Sequence, residues 1–439
     1  MKKLLFFFFI MNASFGQIRV TSIYEGSITL TPQGFLTNNN KPPYTFEINS
    51  DIAFGSYALN KKMADYNNIA IGNHSLQDID TPGGGNIAIG KASMQNSTTG
   101  FNNIAIGAFA SKRNQSYENI GIGSFSLYFN ESGKYNVVVG GNALNTNVSG
   151  SNNSALGSSA LAGNTTGNNN VAVGYWSSIS NKSGSGNTSI GSVALYDNYT
   201  GEMNFSGGYE SMYKNKTGSY NVVIGRGALY NNISGNYNTA IGNQAGANSV
   251  GGFNTFIGHN ADVPSGSDYI NATAIGYATT VDASNKVRIG NSAVSVIEGQ
   301  VPWSNPSDRR LKENILYTNR LDLDFITRLQ TVSYNYIADG NKTRYDGFIA
   351  QDVEKVMKEL NIPFSGLKKS DNGMYSLAYS DFVMPLVNAV QELNTINKNQ
   401  QNQIDKLTKK NELLSASIEE IKAELVRLRS AVNNGTESK

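Results

Sequence analysis

Hydrophobic and polar positions follow two regimes along this chain. From residue 51 to residue 292 the apolar side chains come in short phrases that end on glycine and alternate large, small, large. "NNIAIG" ends at Gly72, "GNIAIG" at Gly90, "YNVVVG" at Gly140, "NNVAVG" at Gly174, "YNVVIG" at Gly225 and "FNTFIG" at Gly258. The glycines recur every 16 to 18 residues for most of the run; "SDIAFG" at Gly55 is a first copy, and "MNFSGG" near Gly207 is degenerate but keeps the phase. Alternation with a period of two predicts a strand, which puts Ile69 and Ile71 on one face and Ala70 on the other. The Asn before each phrase and the Gly after it supply turn chemistry. A second half-unit with Ala and Leu follows, as in "GNALNTNVSG", and closes on another glycine turn. One such coil cannot bury its apolar face alone, whereas stacked coils can. About 15 coils at roughly 4.8 Å each predict a rod of roughly 70 Å. A disordered low-complexity linker has no reason to hold aliphatics in register over so many units.

The second regime has helical spacing. Leu386, Val390, Leu393, Asn397, Gln400, Ile404, Leu407, Asn411, Leu414, Ile418, Ile421, Leu425, Leu428 and Val432 keep an unbroken 4-3 rhythm, with Lys and Glu abundant outside it. That is the seam of a coiled coil, and polar Asn397, Gln400 and Asn411 within it fix register and strand number at a cost in stability. The alternative is a single helix folded back on its own domain. Upstream, "YDGFIAQDVEKVMKEL" (345–360) reads as a short apolar entry leading into an amphipathic helix. "MYSLAYSDFVMPLVNAVQEL" (374–393) reads as a strand-like piece leading into the coil. Together they predict an α+β domain too slight to be stable without oligomerisation.

Composition places the border. Forty of the 45 glycines precede Ser307, and the 133 residues from there onward carry 37 charged side chains. Lys2, Lys3, an apolar run from Leu4 to Met11 and small residues at Ser14 and Gly16 predict a signal peptide cleaved after Gly16, hence a secreted or cell-surface protein. The apolar run is too short to span a bilayer, and no other stretch nears the roughly 20 residues a spanning helix needs. No cysteine is present, so disulfides and thiolate metal sites are excluded. The net charge of +2 includes Lys2 and Lys3, and no basic stripe points to nucleic acid. His74 and His259 sit inside repeat phrases, so neither a metal nor a cofactor is expected.

The repeats over 51–292 resemble the head repeats of trimeric autotransporter adhesins, which share the Asn, aliphatic, Ala, aliphatic, Gly phrase. The resemblance implies a left-handed β-roll wound about a three-fold axis. The β-barrel anchor of that family has no counterpart here, and export by that route is not expected. "SDRRLKENI", "GFIAQDVE" and "YSDFVMPLVNAVQEL", in that order and followed by a coiled coil, resemble the C-terminal intramolecular chaperone of phage endosialidases and tail spikes, which also occurs in the myelin regulatory factor. This second resemblance covers residues 307 to about 432. It implies a domain that trimerises, guides assembly of the fibre before it, and cuts itself off ahead of a serine by a Ser/Lys dyad.

Carried over, Ser307 is the nucleophile, Lys312 its general base, and Pro306–Ser307 the bond cut. A hydroxyl is a weak nucleophile until a neighbour takes its proton. A lysine at its reference pKa of about 10.4 is protonated, so a lysine base must be desolvated or crowded by cations, for which Arg309 and Arg310 are at hand. The lysine could equally come from a neighbouring chain. On spacing alone, Ser307 or Asp308 reads as the cap of a helix "RRLKENI".

The expected organisation is therefore a signal peptide (1–16), an N-terminal β cap (17–50) with strands in "IRVTSIY" and "SITLTP", and β-roll repeats (51–292). A linker (293–306), a small α+β chaperone domain (307–385), a trimeric coiled coil (386–432) and a disordered tail (433–439) follow. The expected function is a homotrimeric, adhesin-like fibre matured by one self-cleavage, with a surface glycan or other cell-surface molecule as a further partner. The alternative is a tail-spike-like protein that binds or degrades glycan. Between residues 86 and 260 the acidic side chains are Glu118, Glu131, Asp197, Glu202 and Glu210 alone. A glycosidase that needs paired carboxylates is poorly served by so few.

Overall fold

The structure, a computed structural model, describes residues 28–30, 36–38, 51–60, 67–79, 84–337, 339–370 and 373–436. The expected signal peptide and the strand over "IRVTSIY" lie outside the described residues. Of the cap, β1 (Ile28–Leu30, within "SITLTP") and β2 (Leu36–Asn38) pair antiparallel. The chain divides into two units, Met1–Asn291 and Ser292–Lys439.

The first unit is a β-solenoid. Fifteen three-residue strands, from β3 (Ile52–Phe54) to β17 (Val287–Ile289), stack in parallel in strict chain order, one per repeat phrase. Each pairs with its neighbour residue for residue, as Val171, Ala172 and Val173 do with Ser154, Ala155 and Leu156. In every strand between those two ends the middle residue, most often Ala, is buried and the flanking residues are more exposed. The interior takes Ala there because the opposite wall supplies the bulk: Leu144, Leu161, Leu195 and Leu229 of the second half-unit are fully buried. Those leucines adopt φ near +50°, a left-handed conformation that costs an L-residue roughly 1–2 kcal/mol and persists because the stack over-determines it. The phrase-ending glycine is obligatory: at Gly157, φ is +134° and a Cβ would sit 2.6 Å from the Gly174 carbonyl oxygen of the next coil.

Asparagine does more than make turns. The Asn preceding each strand from β4 (Ile69–Ile71) to β15 (Thr255–Ile257) is buried, and its side chain belongs to a ladder along the stack. Asn153 Nδ2 donates to Asn136 Oδ1 (3.1 Å) and to the Gly167 carbonyl (2.9 Å), while Asn153 Oδ1 accepts the Asn170 backbone N–H (3.0 Å). A second ladder runs through Asn130, Asn147, Asn164, Asn181, Asn198, Asn215 and Asn232, each Nδ2 reaching the preceding Oδ1 at 2.7–2.9 Å. Buried amides are tolerated because nearly every donor and acceptor is satisfied, coil after coil.

The second unit holds helix α1 (Leu323–Arg328), the hairpin β18 (Val332–Tyr334) with β19 (Tyr345–Gly347), α2 (Ala350–Leu360), the hairpin β20 (Leu367–Lys369) with β21 (Tyr375–Leu377), and α3 (Val383–Thr436). Its core is Phe325, Val353, Val356, Phe364 and Phe382. The α+β expectation for this part stands, with α1 and β18 added. Two boundaries change. The long helix starts at Val383, before the expected 386, because Pro385 sits in its first turn, where a missing N–H costs nothing. It also runs through Thr436, so residues 433–436 are helical where a disordered tail was expected, and 437–439 lie outside the described residues.

Candidate functional site

Ser307 and Lys312 lie within the second unit. Residues 293–321 have no strand and no α-helix, apart from one 3-10 turn at Arg309–Leu311. Asp308 caps that turn, its side chain accepting the Arg310 backbone N–H at 2.8 Å. The capping role weighed for Ser307 or Asp308 thus falls to Asp308, and the helix expected over "RRLKENI" shrinks to this turn. Lys312 follows in extended conformation (φ −127°, ψ 137°), which folds its side chain back. Lys312 Nζ donates to Ser307 Oγ at 2.6 Å, within one chain.

Arg310 was expected to crowd Lys312, but its charge is spent elsewhere. Its Nε and Nη2 form a fork on the Asp308 carboxylate at 3.0 and 2.8 Å. The Arg310 fork and the backbone N–H hold the Asp308 carboxyl below its usual range. Ser307, Asp308 and Lys312 are all exposed in the single chain, as are Pro306, Trp303, Leu316 and Tyr317. An ammonium that donates to the hydroxyl has the opposite polarity to a base. As a base Lys312 has to accept the Ser307 proton, the reverse of the hydrogen bond seen in the single chain.

The rest of the domain explains the other two phrases. In "GFIAQDVE", Gly347 leaves room for the Tyr379 ring, whose hydroxyl accepts the Phe348 N–H at 3.0 Å, and α2 buries Val353 and Val356. In "YSDFVMPLVNAVQEL", Phe382 and Ala389 are buried, Asn388 Nδ2 donates to the Leu321 carbonyl (3.1 Å), and Glu392 accepts the Leu323 N–H (3.0 Å). The first three turns of α3 are thereby tied to α1. Beyond them, seam residues Ile404, Leu407, Leu414, Ile418, Ile421, Leu425 and Leu428 are exposed. The folded-back helix holds for the start of α3 only.

The solenoid carries a second feature. The two outward positions of the 15 strands form two parallel rows, one through Ile106, Ile122, Val139, Leu156 and Val173, the other through Ile104, Ile120, Val137 and Val171. No charged residue occurs in either row. Sequence alternation alone left open which face was the core. No cluster of three or more His, Cys, Asp or Glu that could hold a metal occurs among the described residues. Asparagine periodicity, two per repeat at fixed phase, was the signal from which the buried ladders could have been foreseen.

A fibre-like β-solenoid followed along the chain by a small domain with a long exposed helix fits a protein of the trimeric phage-tail type. Residues 307–362, in the C-terminal segment, match the family described as chaperone of endosialidase. The match begins at Ser307; it leaves "YSDFVMPLVNAVQEL" and the rest of α3 outside. The family is a trimeric assembly chaperone, consistent with self-association of this chain. No curated protein matches the chain. No helix among the described residues is long and apolar enough to cross a membrane.

Proposed function

We propose that this protein is a secreted or cell-surface homotrimeric fibre whose C-terminal chaperone domain drives assembly and then separates by cutting Pro306–Ser307. The observation that carries the fibre reading is the uncharged outward strip. Fifteen rungs at about 4.8 Å and about 10 Å in width amount to roughly 700 Å² per chain. That approaches the roughly 800 Å² each partner buries in a stable complex. The exposed heptad seam of α3 adds a second self-complementary surface.

The cut follows from the Ser307–Lys312 pair. Ser307 Oγ attacks the Pro306 carbonyl carbon as its proton passes to a neutral Lys312 amine. The Ser307 nitrogen then leaves with that proton, and water releases the Pro306 acyl group from the serine oxygen. Packing of further copies against the exposed apolar residues of 293–321 encloses the Ser307–Lys312 pair, which ties the cut to completed assembly. Mass spectrometry of residues 17–439 tests this: the expected products are 17–306 and 307–439, and Ser307→Ala or Lys312→Ala leaves one intact chain. A folded wild-type trimer that stays whole refutes the cut; a monomer refutes the fibre.

A further inference from the structure

Coils in register place equivalent side chains above one another, and several aromatic rows result. Tyr196, Tyr213 and Tyr230 form one, with centroids 4.8 and 5.2 Å apart and planes within 5°. A ring inside such a row has both faces covered, so it offers a ligand only its edge and hydroxyl. The row stops at Tyr230. Backbone bonds Asn231 N–H to Ala247 O and Leu229 N–H to Ala245 O set Ala247 at the next rung, where a fourth ring would stand. Tyr213 covers one face of Tyr230; the face turned towards the Ala247 coil has no ring on it.

Tyr230 and Ala247 line a groove of about 300 Å³ together with Glu210, Arg226, Asn231, Gln244 and Asn248. This is at the small end of the roughly 300–1,000 Å³ of ligand sites. The lining combines the Tyr230 ring, Lys214 Nζ lying 5.2 Å from its centroid, with amides, one carboxylate and one guanidinium. Arg226 is braced over the Tyr209 ring at 5.9 Å, and Asn231 is held by Lys214 Nζ at 3.0 Å, so both polar groups are positioned before any ligand arrives. Glu210 offsets Arg226, and Lys214 Nζ is engaged by Asn231 Oδ1 beside the Tyr230 ring, so stacking and hydrogen bonds rather than a free charge select the ligand. An apolar C–H face ringed by hydroxyls that both donate and accept is the chemistry of a pyranose, and it complements each of these groups.

We propose that the open rung above Tyr230 binds a neutral pyranose residue of a surface glycan, stacked where a fourth ring of the row would lie. The inference deepens the surface-fibre reading by naming a ligand class for the solenoid, and it does not depend on the cut at Pro306. Lactose, maltotriose and chitotriose are the probes, each titrated into the full chain by saturation-transfer NMR. At least one is expected to bind, and Ala247→Tyr, which fills the rung, is expected to weaken it by more than about tenfold. Tyr230→Ala gives a similar loss, whereas Tyr196→Ala at the far end of the row leaves affinity within about twofold. Gln244→Ala, a change at the exposed rim, guards against misfolding of the Ala247 variant and is expected to weaken binding too. No binding of any probe to the wild type, or unchanged binding to the Ala247→Tyr and Tyr230→Ala variants, overturns the site. Sedimentation of the same samples separates the two readings: a monomer that still binds sugar in an Ala247-sensitive way overturns the fibre and leaves the site standing.

Discussion

Replacing Asn170 with alanine removes one rung of a buried amide ladder, and the structure sets the cost. Asn170 Nδ2 donates to Asn153 Oδ1 (3.1 Å) and Gly184 O (2.8 Å), and its Oδ1 accepts the Asn187 N–H (3.0 Å). Two of the three partners keep another bond: Asn153 Oδ1 retains the Asn170 backbone N–H, and Gly184 O retains Asn181 Nδ2. The Asn187 N–H is left buried with no acceptor, which costs about 1–3 kcal/mol, and the two weakened acceptors add about 0.5–1 kcal/mol each. The expected total is roughly 3 kcal/mol per chain. Solenoids unfold locally, so the assay is hydrogen exchange across residues 171–204 rather than a single global midpoint. Exchange at Asn187 is expected to quicken about a hundredfold. Asn170→Asp fares worse than alanine, because a carboxylate then faces the Asn153 and Gly184 oxygens in a buried site. Wild-type exchange in the alanine variant, or an aspartate variant as stable as wild type, refutes the view that the ladder stabilises the stack.

Two further outcomes follow from burial and charge. Ile224→Asp puts a carboxylate on the outward strip, where Ile224 is 46% exposed in the single chain; it is expected to lower the thermal midpoint of the full chain and its trimer content. Ile233→Asp, at 48% exposure off the strip, changes neither, and equal losses from both count against the strip as an interface. Burial pushes the Asp262 carboxyl up to about 6 against the Val263 and Asn248 N–H groups that favour its charge. A raised folded value means the native coil holds the proton more tightly than the unfolded chain. This contribution is full below about pH 3.8 and is lost as pH rises through about 6. Exchange at Val263 is expected to accelerate from pH 4 to 7 after correction for intrinsic rates, and Asp262→Asn, which keeps the accepting oxygen, is expected to flatten that profile.

What the sequence determined by itself was periodic. Apolar alternation closed by glycine every 16 to 18 residues specifies strands, coils and their stacking order, because strand faces and helix seams are written in local spacing. The heptad run specified the long helix, and the phrases "SDRRLKENI" and "GFIAQDVE" fall within the segment that matches the chaperone family. Only tertiary structure decided the rest. Which face of "NNIAIG" is the core depended on leucines about half a coil away filling the interior, so Ala70 turned in and Ile69 and Ile71 outward. Asparagine counted as a turn residue until neighbouring coils brought Nδ2 and Oδ1 together, since a hydrogen bond across 17 residues leaves no local trace. The open rung at Ala247 exists only as a contrast with the tyrosines stacked beneath it. At the border, spacing allowed Ser307 either a cap or a nucleophile's place. The fold gave the cap to Asp308 and brought Lys312 to within 2.6 Å of the serine oxygen, because a single turn, too short to be a helix, lets the lysine double back.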